Sequence, residues 1–182
     1  MNSPIPFLEG QHLYLRALTD ADADGEYPAW LNDAEVCRSN SHHVFPYSRE
    51  AALDYILEIR QSTASLTLAI VVREGHRHIG NIALQSIHLI NRNAEFAVLI
   101  GDKAGWGKGY GLEAGRLICR HGFDALNLHR IYCGTFADNV GMIGLAHALG
   151  MKEEGRRREA AFKDGKYIDI VEFGLLGADF SE

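Results

Sequence analysis

Glycines stand at positions 105, 107, 109 and 111, between an apolar, β-branched run (Ala94–Ile100) and a helical pattern (Leu112–Ala125). Glycine at alternate positions destabilises the interior of a helix or a strand, because each glycine loses the most backbone freedom on ordering. The stretch therefore has to be a loop, and the chain must fold around a strand–loop–helix unit. Glycine also permits φ > 0 and lets a ligand approach the backbone closely. Unpaired N–H groups at the start of the helix, with Lys108 beside them, read as a cradle for a phosphate-like anion. The other reading of such a loop is a helix entry that holds no ligand.

The flanking sequence supplies the remaining elements. His12–Arg16 alternates as a first strand. Thr19 and Asp20 are helix caps, with a helical stretch running on through Trp30 and Leu31. Asn40–Tyr47, rich in His and aromatic residues, is a loop. Ser48 caps a second helix by a simple cap, since Ala51 stands where a capping box needs Glu or Gln. Ala52, Tyr55, Ile56 and Ile59 form the apolar stripe of that helix. Ser65–Val72 and His78–Ile87 pair as strands across Glu74-Gly75-His76. Beyond the glycine unit come a strand (Ile131–Phe136), a helix (Asn139–Leu149) and two strands (Glu153–Phe162, Tyr167–Leu175) about a turn at 163–166. This order predicts an α+β, mixed α/β fold with a mostly antiparallel sheet of about seven strands flanked by helices. No repeat or linker interrupts it, so 1–182 reads as a single domain.

Composition narrows the partners. A formal net charge of −6 argues against nucleic acid, which needs a basic patch, and is compatible with a cationic acceptor. Cys37, Cys119 and Cys133 are scattered without a CxxC pair, so neither a zinc site nor a disulfide framework is expected, and a reducing cytoplasm is the simplest setting. The opening Met-Asn-Ser-Pro-Ile-Pro has no basic region and no long apolar run follows. Neither a signal peptide nor a membrane span is expected.

Which anion does the loop hold? A Walker loop requires Ser or Thr after Gly-Lys, and Gly109 follows Lys108. A dinucleotide fingerprint counted from Gly109 finds Gly111 and Ala114, its looser form. It should open a parallel βαβ unit, and an acidic residue should follow the helix; an antiparallel meander precedes this loop, and 128–136 holds no acid. The run Trp106-Gly107-Lys108-Gly109-Tyr110-Gly111-Leu112-Glu113-Ala114 resembles the pyrophosphate loop of the GNAT superfamily of acetyltransferases. Trp106 stands at that motif's Arg/Gln position, as in members resembling the ribosomal-protein N-terminal acetyltransferases. Leu15-Arg16-Ala17-Leu18, Trp30-Leu31-Asn32-Asp33, Ala94-Glu95-Phe96 and Asp138-Asn139 ahead of Leu149-Gly150-Met151 extend the likeness along most of the chain.

The resemblance implies a fold whose fourth and fifth strands splay to admit pantetheine, with acetyl-CoA as cosubstrate and no metal. It places Val98, Leu99 and Ile100 along the pantetheine and Trp106, Gly107, Lys108, Gly109, Tyr110 and Gly111 at the pyrophosphate. Asn139 matches an asparagine that contacts the cofactor, though it also suits a helix N-cap. By the same analogy the backbone N–H near Leu99 stabilises the oxyanion. Glu95 interrupts an apolar strand, where desolvation would suit it to accept a proton as general base; the other reading has it facing solvent or paired with an arginine. The usual proton-donor positions carry Met142 and Ala146. Cys133 reads as a nucleophile or, without an activating base, as a buried apolar residue. His42, His43, Phe45, Tyr47 and His88 are candidate acceptor contacts. The expected activity is acetyl transfer to a primary amine (a protein N-terminus, an amino sugar, a polyamine or an aminoglycoside) in a ternary complex, by a monomer or homodimer. An acyl-CoA-binding domain without turnover, or a dinucleotide enzyme, would be the alternative.

Overall fold

The structure, a computed structural model, describes residues 5–181. The opening Met-Asn-Ser-Pro lies outside them.

One eight-stranded sheet carries the fold, in the order β1-β2-β3-β4-β5-β6-β8-β7. The strands are β1 Leu8–Glu9, β2 Leu13–Ala17, β3 Leu66–Val72, β4 Arg77–His88, β5 Asn93–Ile100, β6 Arg130–Phe136, β7 Lys152–Lys163 and β8 Lys166–Leu176. Only β5 and β6 pair in parallel; the other neighbours are antiparallel. The helices are α1 Asp20–Ala23, α2 Tyr27–Leu31, α3 Arg49–Gln61, α4 Tyr110–Asp124 and α5 Val140–Ala148. The mixed, mostly antiparallel sheet agrees with the reading from sequence, with one strand more. That strand, β1, is two residues long, too short for any periodicity to reveal.

The helical stretch expected through Leu31 is two short helices. Thr19 closes a capping box with Asp22 at the head of α1, the next helix has Pro28 in its first turn, and 24–26 breaks the run between them. Ser48 caps α3 simply, accepting from Ala51 N at 3.2 Å. The glycine loop passes into α4 two residues earlier than the helical pattern, because Gly109 itself is the N-cap.

Two apolar layers sandwich the sheet. On one face Leu68, Ile70, Ile82, Leu84, Ala94 and Phe96 pack against α4 and α5 through Ile118, Cys119 and Leu149. On the other, Ala69 and Val71 pack against α1 to α3 through Trp30, Ala52 and Ile56. β3 is buried on both faces, which is why its sequence reads as a continuous apolar run rather than an alternating one. A Cβ at Gly101 would lie 2.0 Å from the Trp30 ring, so only glycine lets that indole lie against the end of β5.

Candidate active site

The sheet opens where β5 and β6 part. Their pairing lasts three residues: Asn93↔Arg130, Ala94↔Ile131 and Glu95↔Tyr132. Past Glu95, β5 stays with β4 as far as Ile100, while β6 stays with β8 as far as Phe136. A cleft of ≈ 1430 Å³ runs through this gap and reaches both faces of the sheet.

On the α4/α5 side the lining is largely backbone. Gly101 N donates to Ile79 O at 2.9 Å. Antiparallel alternation then turns the main-chain groups of Leu99 toward β4 and those of Val98 and Ile100 toward the gap. The indole Nε1 of Trp106 occupies Ile100 O at 2.8 Å, so the edge facing the cleft presents Val98 N–H, Val98 C=O and Ile100 N–H. Below it, Gly107 and Gly109 take φ of 71° and 80°, left-handed values that a side chain resists. Among the described residues, the N–H groups of 107 to 111 have no hydrogen-bond partner, while Leu112 N and Glu113 N bond back to Gly109 O. Free donors converging on the first turn of a 15-residue helix form an anion cradle, in which the helix dipole favours negative charge. Trp106, Gly107, Gly109, Tyr110 and Gly111 line the cleft with Val98, Leu99 and Ile100; Lys108 is exposed and does not. Its charge acts on the cradle only from outside.

The opposite side is a surface of side chains. Ala94 and Phe96 are buried in the α4/α5 layer, so strand alternation places Glu95 and Leu99 on the other face. Asn81, Gln85, Tyr132 and Glu172 share the lining with them. Burial, then the Glu95 charge, pushes the Tyr132 phenol up, keeping it protonated at neutral pH. Glu172 accepts from Arg157 Nε at 2.5 Å. Above this floor Tyr27 and Tyr47 meet through their hydroxyls at 3.4 Å, and Tyr55 reaches Thr67 Oγ1 at 3.3 Å.

The loop at 38–47 covers this side and is tied down from three directions. Asn32 exchanges hydrogen bonds with Tyr47, donating to its O at 2.7 Å and accepting from its N at 2.8 Å. Lys163, 9 % exposed, reaches from the β7–β8 hairpin to His42 O at 2.6 Å. Asn139 accepts from Met142 N at 3.0 Å and donates to Ser39 O at 3.1 Å. Both ends of its amide are thus engaged within the protein. Asn139 is thus the N-cap of α5 and ties the loop to that helix, and it also lines the cleft, where the resemblance has it meet the cofactor.

The other sequence candidates separate cleanly. Met142 lines the cleft without a proton to give, and Ala146 is fully buried away from it. His42 and Tyr47 line the cleft; His43 and Phe45 border a side pocket of ≈ 200 Å³. His88 accepts from Asn91 N in the β4–β5 turn and stands outside both. Cys133 is 1 % exposed, its Sγ lies 3.6 Å from Met151 Sδ, and burial followed by the charges of Glu172 and Glu95 pushes its thiol up to about 12. It is a core residue. Asn81, Gln85, Tyr132 and Glu172 had no signal in the sequence, because each is an ordinary polar residue on a strand whose facing is set only by the sheet. Among the described residues no group of three or more His, Cys, Asp or Glu could hold a metal ion, and no helix is long and apolar enough to cross a membrane.

A sheet splayed beside a helix-capped anion cradle, with a polar chamber on its far face, defines a site that takes an extended phosphate-bearing donor from one side and an acceptor from the other. The chain belongs to the acetyltransferase (GNAT) domain family, which matches residues 12–152; it is an acyltransferase that uses acetyl-CoA. An uncharacterized N-acetyltransferase, p20, of Bacillus licheniformis is 28 % identical over 173 residues, covering 94 % of this chain and 96 % of that protein. The spermidine N(1)-acetyltransferase of Vibrio cholerae is 31 % identical over 111 residues, 60 % of this chain and 64 % of that protein. A crystal structure of spermidine N-acetyltransferase from Vibrio cholerae, in complex with CoA and spermine, superposes with a TM-score of 0.84 at 25 % identity, over 92 % of this chain and 97 % of that one.

Proposed function

We propose that the protein transfers acetyl from acetyl-CoA directly to a primary amine held on the Glu95 side of the cleft. The observation that carries this is the through-sheet cleft, which lets a donor along β5 and an acceptor on the opposite face meet at the end of the β5–β6 pairing. The cradle at 107–111 receives the pyrophosphate, and the free edge of Val98 and Ile100 receives the pantetheine. Bound acetyl-CoA supplies the thioester, whose C–S bond breaks as the C–N bond to the amine forms. Glu95 takes the proton released by the attacking nitrogen. Val98 N–H, rather than that of Leu99, donates to the carbonyl oxygen as negative charge develops there, since the Leu99 N–H faces β4. Tyr132, opposite Glu95 in register, carries a phenolic proton within the cleft. A thiol of ordinary acidity, about 8.5, needs little help to leave.

The carboxylates of Glu95 and Glu172 suit an acceptor that arrives as a cation. Two amine classes fit. Trp106 in the pyrophosphate loop relates the chain to the ribosomal-protein branch and so to a protein N-terminus. The likeness to spermidine acetyltransferases spans far more of the chain and favours a small amine. The test is release of free CoA from acetyl-CoA with a panel of N-terminal peptides, polyamines, amino sugars and aminoglycosides. Turnover of a small amine supports the proposal. Tight acetyl-CoA binding with silence across the whole panel would establish a binding domain instead.

A further inference from the structure

Beneath the acceptor side lies a buried polar chain that the transfer chemistry does not use. Arg16 and Asp22, 8 % and 6 % exposed, form a two-pronged pair at 2.8 and 2.7 Å. His78 Nδ1 lies 3.2 Å from Asp22 Oδ1, and the ring meets Trp30 edge-on at 5.0 Å. His78 Nε2 faces Gly80 O at 3.0 Å and Asn81 Oδ1 at 2.9 Å. A backbone carbonyl can only accept, so Nε2 carries a proton, and the Asn81 amide is fixed with its oxygen toward the ring.

That orientation leaves Asn81 Nδ2 aimed elsewhere. Asn81 is 9 % exposed and lines the cleft, whereas Arg16, Asp22 and His78 do not. Among the described residues Nδ2 has no hydrogen-bond partner, yet it is not sealed from solvent-sized space. The surface this buried amide has left is therefore cleft surface. Asn81 stands opposite Leu99 across β4 and β5, directly beside the segment that presents Val98. An amide held this way can donate only, and no ammonium group satisfies it.

We propose that Asn81 is a specificity-determining hydrogen-bond donor, oriented by Arg16, Asp22 and His78, that selects amine acceptors bearing an oxygen (hydroxyl or carbonyl) near the reacting nitrogen. This rests on the Glu95 face being the acceptor side. It goes further by giving that face two demands: carboxylates for a cation and a fixed donor for an oxygen. A simple polyamine meets only the first.

The test is kcat/KM for matched amines with acetyl-CoA: amino alcohols against alkylamines of equal length, a free-N-terminus dipeptide amide, glucosamine and spermidine. The wild type is expected to favour the oxygen-bearing member of each pair by about tenfold, the worth of one satisfied donor. Asn81→Leu should collapse that ratio. Asn81→Asp keeps the oxygen toward His78 but places an anion in the cleft, and should reverse the preference toward spermidine, an effect that loss of structure cannot imitate. Equal losses for all amines in Asn81→Leu, or a wild type that prefers spermidine with Asn81→Asp leaving that preference unmoved, would overturn the proposal. No turnover of any amine by the wild type, with acetyl-CoA still bound, would overturn the acceptor reading itself and this proposal with it. Circular dichroism of each variant separates misfolding from lost selection.

Discussion

The two halves of the cleft are built in opposite ways. The half proposed for the donor comes from one stretch of chain, 98–112, and presents main-chain N–H groups. The half proposed for the acceptor gathers Asn81 from β4, Glu95 from β5, Tyr132 from β6, Glu172 from β8 and a loop between α2 and α3, and presents side chains. Backbone donors suit what every donor molecule of the proposed kind shares, pyrophosphate and pantetheine, and do not depend on side-chain identity where glycine is kept. Side-chain donors and acceptors on separate strands can be exchanged one at a time. On the proposed reading, the difference makes the donor a property of the fold and the acceptor a property of a few polar residues.

Four substitutions probe that contrast. The largest effect is expected at the chemistry. Glu95→Gln should lower kcat by roughly 10²- to 10⁴-fold while calorimetric acetyl-CoA affinity is held; a kcat near the wild-type value would remove Glu95 as the base.

Next comes the support beneath the acceptor floor. Burial alone would raise the Asp22 carboxyl, but hydrogen bonds from Arg16 and from Thr19 N–H outweigh it and hold it far below the usual carboxylate range. The native state thus binds fewer protons at Asp22 than the unfolded chain does. The stability from this pair is complete above the unfolded value of about 4 and is lost as pH falls below it. Asp22→Asn, which leaves Arg16 buried without its counter-charge, should destabilise by about 3 kcal/mol at pH 7. In urea titrations the gap to wild type should shrink on acidification; a gap independent of pH would show that the ion pair is not its source.

On the donor side, Gly109→Asp places a side chain at φ 80° and an anion at the helix entry. Affinity for acetyl-CoA should fall about 100-fold, from strain of some 1–2 kcal/mol plus charge repulsion. Titration calorimetry reads it, and retained affinity would dislodge the cradle assignment. The smallest effect belongs to Asn139→Ala, which removes a cap worth about 1 kcal/mol and unties Ser39. Its KM for the amine should rise more than its Kd for acetyl-CoA. The reverse order would assign Asn139 to the donor half.

The same contrast explains what could be read beforehand. The unit proposed to hold the donor was legible as structure because it is local: strand, glycine loop and helix are consecutive, and Gly109 and Gly111 keep a fixed spacing. Glu95 stands out in the sequence as the charged interruption of an apolar strand, and the structure places it in the cleft lining. The sequence does not tell which β5 amides face the gap, since that depends on the register with β4. Asn139 shows the limit of a local reading: its cap is written in one residue, but its partner Ser39 lies 100 residues away in sequence. Asn81 and Glu172 were invisible for the same reason, and β1 because two residues carry no period. Helix entries such as Thr19 and Ser48, by contrast, are written in single residues.

The most direct test of the account is peptide-level hydrogen exchange with and without acetyl-CoA. If the cofactor lies along β5 and is held at the head of α4, amides in 96–100 and 105–112 should gain strong protection, and those of the β7–β8 hairpin little. Protection absent from 105–112, or concentrated on another part of the sheet, would contradict it.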